Sequence, residues 1–241
     1  MSNDYRLSVV ICAVDETFSL KNTFEKLDSF GAACEFLFIV SKTCTADCLE
    51  TVKRLCVRKD CRWMYQSGEG IGNAIRDSFF EVSGTHMVVW SADEANDVAS
   101  FPEMLRLSQK NPESIVKISR WLRKDGFDGY GRIKKALNYI SQRAFAVLFH
   151  SNLTEFTNPT QIAPVAVYRS IRWGRNDFAF LPEMTFKPLK LGVAFIEVPT
   201  KNVPRVEGSS HNRFRSWLLY YFTVLKIYFT KKQKLTEGVD A

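Results

Sequence analysis

The chain has 241 residues, 46% of them hydrophobic and 24% charged, enough to bury one substantial core. No run of ~20 uninterrupted apolar residues is present, and the polar opening followed by a short apolar strand is unlike a secretory leader. A cytosolic protein is expected. The net charge is +7, of which +5 falls from residue 201 onward, where eight Lys/Arg face three acids. A basic end of this kind suits an anionic partner such as phospholipid or nucleic acid, or else a solvated tail.

In chain order, Leu7–Ala13 is a near-continuous β-prone run, as expected of a strand buried on both faces. Leu20, Phe24, Leu27 and Phe30 then repeat at helical spacing. Glu35–Val40 predicts a second strand, Thr45–Val57 a helix, Arg62–Tyr65 a short strand and Gly70–Val82 a helix. Thr85–Ser91 predicts another buried strand, followed by a helix over Phe101–Gln109 and a strand over Ser114–Ile118. Strands separated by helices of this length imply right-handed crossovers and a mostly parallel sheet with helices on both faces.

Beyond Arg120 the pattern changes. Ile133, Ala136, Leu137, Ile140, Ala144, Val147 and Leu148 mark one long amphipathic helix. Val165–Tyr168 and Val193–Val198 predict strands around a helix at Pro182–Leu191. Phe214–Phe229 is aromatic-rich, closed by Lys231-Lys232 and too short to span a bilayer. It fits an interfacial helix, or a helix packed on the core or in a homodimer. The expected organisation is one domain over 1–212 and a C-terminal apolar helix with a basic tail over 213–241.

The six cysteines fall in the first quarter of the chain, without a CxxC pair or a nearby histidine. Reduced thiols are expected rather than a disulfide framework or a zinc site. Aromatic residues interleaved with Lys/Arg on a sheet platform are not evident, so no nucleic-acid partner is expected.

Ligands of parallel sheets bind beyond the carboxyl ends of the strands. Those ends here carry Asp15-Glu16, Ser41-Lys42-Thr43, and Ser91-Ala-Asp93-Glu94 with Asp97. A hard cation bridging a diphosphate needs one or two carboxylates, and Asp93 at a strand tip suits that; loops after strands also favour Asp for turns and caps. Gly68-Glu-Gly70-Ile-Gly72 precedes a helix, where backbone approach to a nucleotide or a plain turn are both open.

Taken together, these motifs resemble family 2 glycosyltransferases. Val9-Val-Ile-Cys-Ala-Val-Asp15-Glu16 is similar to that family's opening V-V-I-P-x-Y-N-E, and Gly70-Ile-Gly72-Asn-Ala74 to its G-x-G-x-A. Met87-Val-Val-Trp-Ser91-Ala-Asp93 resembles the strand ending in its D-x-D metal motif, and Ser119-Arg120 its S-R. Glu183 matches a late-helix Glu, Glu197-Val-Pro199 the E-V-P strand, and Arg205-Val-Glu-Gly208-Ser-Ser210 the R-x-x-G-x-S segment. The order holds over roughly residues 7 to 215. Within the family the resemblance runs toward polyprenyl-phosphate sugar transferases, which have a GT-A fold.

The resemblance implies an inverting transfer from a nucleotide-sugar donor to a polyprenyl phosphate or lipid-linked glycan at the cytoplasmic face of a membrane. Asp15, Glu16, Ser41, Gly70, Gly72 and Ser91 would meet the donor. Asp93, with Asp97 as a second acid, would hold Mg²⁺ or Mn²⁺. Arg120, Arg132, Arg205 and Ser210 would grip an acceptor phosphate, a role that suits the planar, always charged guanidinium. An ionised phosphate needs no general base; a sugar hydroxyl would, and Glu183 or Asp97 could supply it. The chain departs from the family at Ser91, where the first D-x-D aspartate is expected, and at Ser41-Lys42-Thr43-Cys44 in place of D-D-G-S. The segment from Thr157 to Arg169 is only loosely similar to T-S-G-F-R-x-Y-R. These departures keep a second reading open, a catalytically silent relative that binds a nucleotide sugar or scaffolds an assembly.

Overall fold

The computed structural model describes residues 4–94, 96–203 and 214–236, with backbone alone for 214–217. Seven strands form one sheet: β1 (Leu7–Ala13), β2 (Cys34–Val40), β3 (Cys61–Tyr65), β4 (His86–Ser91), β5 (Ile115–Ser119), β6 (Gln161–Pro164) and β7 (Phe195–Pro199). Their order is β3-β2-β1-β4-β6-β5-β7. Only β6 runs antiparallel, pairing Met87 with Ala163 on one side and Val116 with Ile162 on the other. The sheet is therefore mostly parallel, as the alternation of elements predicts.

Period-two side chains divide β1 between two cores. Val9 and Ile11 face α1 (Phe18–Asp28), α2 (Ala46–Leu55) and α4 (Phe101–Lys110), packing with Leu20, Phe24, Val52 and Met104. Val10 faces the other side, with Leu37 and Ile39 of β2, where Ile75 and Phe79 of α3 (Ile71–Glu81) and Phe180 and Met184 of α7 (Phe180–Leu191) pack. Both faces are covered, which is why the strands read as continuous apolar runs.

The chain moves outward from β1 to β2 and β3, then returns through α3 to place β4 on the other side of β1. That reversal creates a switch point between β1 and β4, and ligands of such sheets bind beyond the carboxyl ends of the strands there. Cys12 and Ser91 are directly paired across it.

One expected strand is not there. Val165–Tyr168 lies in a short helix, α6 (Val165–Arg169), and the strand is the four residues before it. Pro164 is the last residue of the ladder, and its fixed φ of -58° suits the residue that opens a helix.

A third core lies beneath the C-terminal helices. Phe145 of α5 (Arg132–Leu148), Phe186 of α7, and Val224 and Ile227 of α8 (Phe214–Phe229) pack with Phe156 and Leu153. α8 thus buries one face against the body of the molecule and leaves Leu218, Phe222, Leu225 and Phe229 exposed on the other. Among the described residues no helix is long and apolar enough to cross a membrane.

Candidate functional site

The loops after the parallel strands β1, β2, β3 and β4 gather at the carboxyl edge of the sheet. Ser41 N donates to Ala13 O at 3.0 Å and Thr45 N to Val14 O at 3.0 Å, tying the loop after β2 to the end of β1. Lys42 Nζ reaches Ser67 O at 3.0 Å, joining the loops after β2 and β3. Ser41 itself is buried, its hydroxyl 2.9 Å from that of Thr43. Glu16 folds back, accepting from Val14 N at 3.0 Å and Asp15 N at 3.3 Å, while Asp15 is left exposed on the rim.

Gly70 and Gly72 have a different local reason. Gly70 sits at φ +90°, and a Cβ there would lie 2.3 Å from Asn176 O. Gly72 N donates to that same carbonyl at 2.8 Å. The close approach these glycines permit is between two protein segments, the start of α3 and the loop before α7. Arg76 joins them, donating to Asn73 and, at 2.8 Å, to Asn176.

At the tip of β4, Ser91 Oγ donates to Asp93 Oδ1, and Asp93 is buried. Glu94 follows at φ +56°, in the left-handed region that a residue other than Gly adopts only where its surroundings hold it there. Its Oε2 accepts from Lys26 Nζ at 2.9 Å, while its Oε1 is buried with no hydrogen-bond partner among the described residues. Asp97 caps the 3-10 turn Val98–Ser100 by accepting from Ala99 N at 3.1 Å. Beside these residues lies a cavity of about 430 Å³ whose wall includes Lys26, Glu94, Asp97, Asp128 and Lys201. Among the described residues no three His, Cys, Asp or Glu side chains come together as a metal-holding group. Asp93 and the orphaned Glu94 oxygen are nevertheless hard donors at one strand tip. They fit a divalent ion in kind, since one or two carboxylates suffice when a diphosphate supplies the rest.

The arginine after β5 is not free. Arg120 is largely buried; its Nε donates to Glu155 Oε2 at 2.8 Å and its Nη2 to Thr157 at 3.3 Å. The guanidinium also lies 4.9 Å from the Phe127 ring and 5.8 Å from Tyr130. Glu155 is fully buried and receives Gln142 Nε2 at 3.1 Å. Burial opposes its charge, but the Arg120 guanidinium, hydrogen bonds from Arg120 and Thr157, and the charge of Lys117 outweigh that and hold the carboxyl below its usual range. Glu197 of β7 in turn grips the backbone amides of Thr154 and Glu155, each at 2.8 Å. None of the sequence motifs points to Glu155. The available signal is that it is the first acid after Asp128 in a basic stretch.

Of the other expected site residues, Arg132 opens α5 and is exposed. Lys134 and Lys135 lie 4.9 and 5.0 Å from the Tyr130 and Phe127 rings, so they share the aromatic platform on which Arg120 stacks. Glu183 is buried in the first turn of α7, accepting from Gly174 N at 2.9 Å and Lys187 Nζ at 3.0 Å. Arg205 and Ser210 lie outside the described residues. All six cysteines are free thiols, and the Cys56 and Cys61 sulfurs are neighbours at 2.9 Å.

No protein-family model matches the sequence, and no curated protein matches it. The fold does match solved structures. Glucosyl-3-phosphoglycerate synthase from Mycobacterium tuberculosis, solved with Mn²⁺, UDP and phosphoglyceric acid, superposes with a TM-score of 0.71 at 12% identity. The match covers 94% of this chain and 80% of that one. The same enzyme with Mg²⁺ and UDP gives 0.70 at 13% identity, covering 94% and 80%. With Mn²⁺, UDP-glucose and phosphoglyceric acid it gives 0.67 at 15%, covering 94% and 81%. At such identities the correspondence is one of architecture, and it shows a GT-A fold: a Rossmann-like, mixed but mostly parallel sheet of seven strands with helices on both faces.

Proposed function

We propose that the chain is a nucleotide-sugar-dependent glycosyltransferase that uses Mg²⁺ or Mn²⁺ and delivers its sugar to a phosphate carried on a lipid. The observation that carries this reading is the switch point. Asp15 and Glu16 follow β1, and Ser91 and Asp93 stand at the end of its neighbour β4, at the same edge of the sheet, in a fold whose solved counterparts hold a metal ion with UDP or UDP-glucose. Asp15, Glu16, Ser41 and Ser91 line the donor's side, with Gly70 and Gly72 shaping the wall beneath it.

Asp93, with Glu94 or Asp97 beside it, would hold the ion. The bound ion would neutralise the diphosphate as it leaves. The chain's own residues do the rest. Ser91 fixes the Asp93 carboxylate by its hydrogen bond, and Arg120, Arg132, Arg205 and Ser210 bind the acceptor phosphate. Glu155 aims Arg120. A phosphate oxygen is already ionised and attacks without a base, and one in-line displacement inverts the sugar carbon. A lipid-linked glycan would instead need a carboxylate base, for which Asp97 on the cavity wall is better placed than Glu183, already bound to Gly174 and Lys187.

The hydrogen bond from Ser91 to Asp93 also favours a second reading, in which the chain binds a nucleotide sugar without turning it over. A panel of nucleotide sugars tested by thermal shift, with and without Mn²⁺, separates these from a third outcome. A ligand at a hundred times its dissociation constant stabilises the fold by about 2.7 kcal/mol. A metal-dependent shift followed by donor consumption supports transfer. A shift without turnover supports the silent reading, and no shift with any donor defeats both.

A further inference from the structure

The apolar stripe of α5 points the wrong way for a core helix. Ile133 is 80% exposed, Ile140 64% and Val147 75%, with Leu137 exposed between them. The face turned inward carries Asn138, Ser141 and Gln142, all buried, with Phe145 as its apolar anchor. An amphipathic helix on a globular body normally does the reverse. Here the inward polar residues are occupied: Asn138 Oδ1 accepts from Trp121 Nε1 at 3.3 Å, and Gln142 donates to Glu155.

α8 has the same habit. Phe222 is 66% exposed and Phe229 79%, with Leu218 and Leu225 in the same row, while Val224 and Ile227 pack inward. The two helices touch through Ser141 and the Tyr221 hydroxyl, and through the Phe145 and Tyr221 rings at 5.6 Å. By helical spacing, Leu137 and Ala144 flank that contact on α5, and Leu218 and Leu225 flank it on α8. The two outward rows therefore meet along a shared seam.

The charge around the rows is of one sign. From Gly129 to Thr154 the sequence has no Asp or Glu but has Arg132, Lys134, Lys135 and Arg143. From Phe214 to Thr236 it again has none, with Lys226, Lys231, Lys232 and Lys234. A second copy of the chain laid on this face would bring like charges together, which opposes pairing. An anionic bilayer instead offers acyl chains for the apolar rows and negative headgroups for the cations.

We infer that α5 and α8 together form a docking surface for an anionic phospholipid bilayer. The surface backs directly on the buried Arg120–Glu155 cluster, so a phosphate-bearing lipid would reach Arg120 from the membrane side. The inference rests on the proposed transfer only for that delivery; the docking stands on exposure and charge.

The test is sedimentation of the full chain with vesicles of phosphatidylcholine alone and with phosphatidylglycerol added. It is repeated on Ile133→Asp/Ile140→Asp, a double variant at exposed positions, and donor-induced thermal shift is measured on both proteins. Binding to the anionic vesicles that weakens with salt and drops about tenfold or more in the variant bears the inference out. Variant binding equal to the parent's overturns the share given to α5. Equal binding to neutral vesicles overturns the anionic requirement. A parent chain that ignores both vesicles, or a salt-stable dimer that the variant dissociates, overturns the surface as a membrane site. If the donor shift persists then, the transfer reading survives; if vesicles bind but no donor does, that reading fails alone.

Discussion

Glu155 Oε2 accepts a hydrogen bond from Arg120 Nε at 2.8 Å, and that carboxylate has no exposure to solvent. A buried ion pair adds little net stability, but removing one partner strands the other charge at a cost of roughly 3–5 kcal/mol. Glu155→Ala should therefore lower the unfolding free energy by that order, read from urea denaturation. A loss far below it would mean that water or another cation replaces the pairing. The same group makes stability acid-sensitive in a defined direction. Its folded-state carboxyl is held below the ordinary value, so the unfolded chain takes up the proton first as pH falls. Its contribution is complete above the unfolded value of about 4.3 and drains away below it. The urea midpoint of Glu155→Gln should fall less than the parent's on acidification through that range. Parallel curves would remove Glu155 from the acid response.

Lys117 works in the alkaline range. It is fully buried in β5, with Nζ donating to Thr185 Oγ1 at 3.2 Å, and burial pulls its ammonium from 10.5 down to about 8. Between those values the unfolded chain holds the extra proton, so this group makes stability rise with pH. The rise is on the order of 3 kcal/mol at 1.36 kcal/mol per unit. Lys117→Met should abolish it, which a comparison of denaturation midpoints across alkaline pH will show.

The sheet is legible because strands buried on both faces write themselves as apolar runs, and every parallel strand from β1 to β7 appears within a residue or two of its expected place. β6 lies four residues before its expected place, since Gln161-Ile-Ala-Pro is too short to show alternation and the valines after Pro164 attract the strand assignment. Periodicity gives the α5 helix but not the direction of its stripe. Spacing fixes a face, and only the tertiary partners decide which face turns inward. Asp15 and Asp93 are visible because strand ends are conspicuous. Glu155 is not, being a lone acid in an irregular loop whose importance arises only when β5 brings Arg120 beside it.

Gly70 offers a test that separates packing from ligand binding. Its φ of +90°, and the mere 2.3 Å that would separate a Cβ from Asn176 O, make any side chain there costly. Gly70→Ala should destabilise the apo protein by roughly 1–3 kcal/mol, the range for a strained backbone. A calorimetric melting point should fall before any donor is added. An unchanged apo melt with weakened donor binding would move Gly70 from the wall into the ligand contact.

Asp93→Asn keeps the shape at the tip of β4 and removes the charge. Under the proposed reading it should erase the difference between thermal shifts with and without Mn²⁺, while the apo melt stays close to the parent's. A Mn²⁺-dependent shift that survives the substitution would reassign the ion to Glu94, whose buried Oε1 has no hydrogen-bond partner among the described residues.

Arg120 and Arg132 should differ in kind. Arg120 is built into the Glu155 cluster, so Arg120→Ala should lose stability and activity together. Arg132 is exposed at the start of α5, and Arg132→Ala should leave the melt unchanged. A charge-assisted hydrogen bond is worth roughly 1.5–3 kcal/mol, so an Arg132 that grips the acceptor phosphate should raise the acceptor KM about tenfold or more on removal. The donor KM should not move. Should the acceptor KM stay at its parent value, phosphate recognition falls to Arg120 with the neighbouring Lys134 and Lys135, and the double lysine variant becomes the one that raises it.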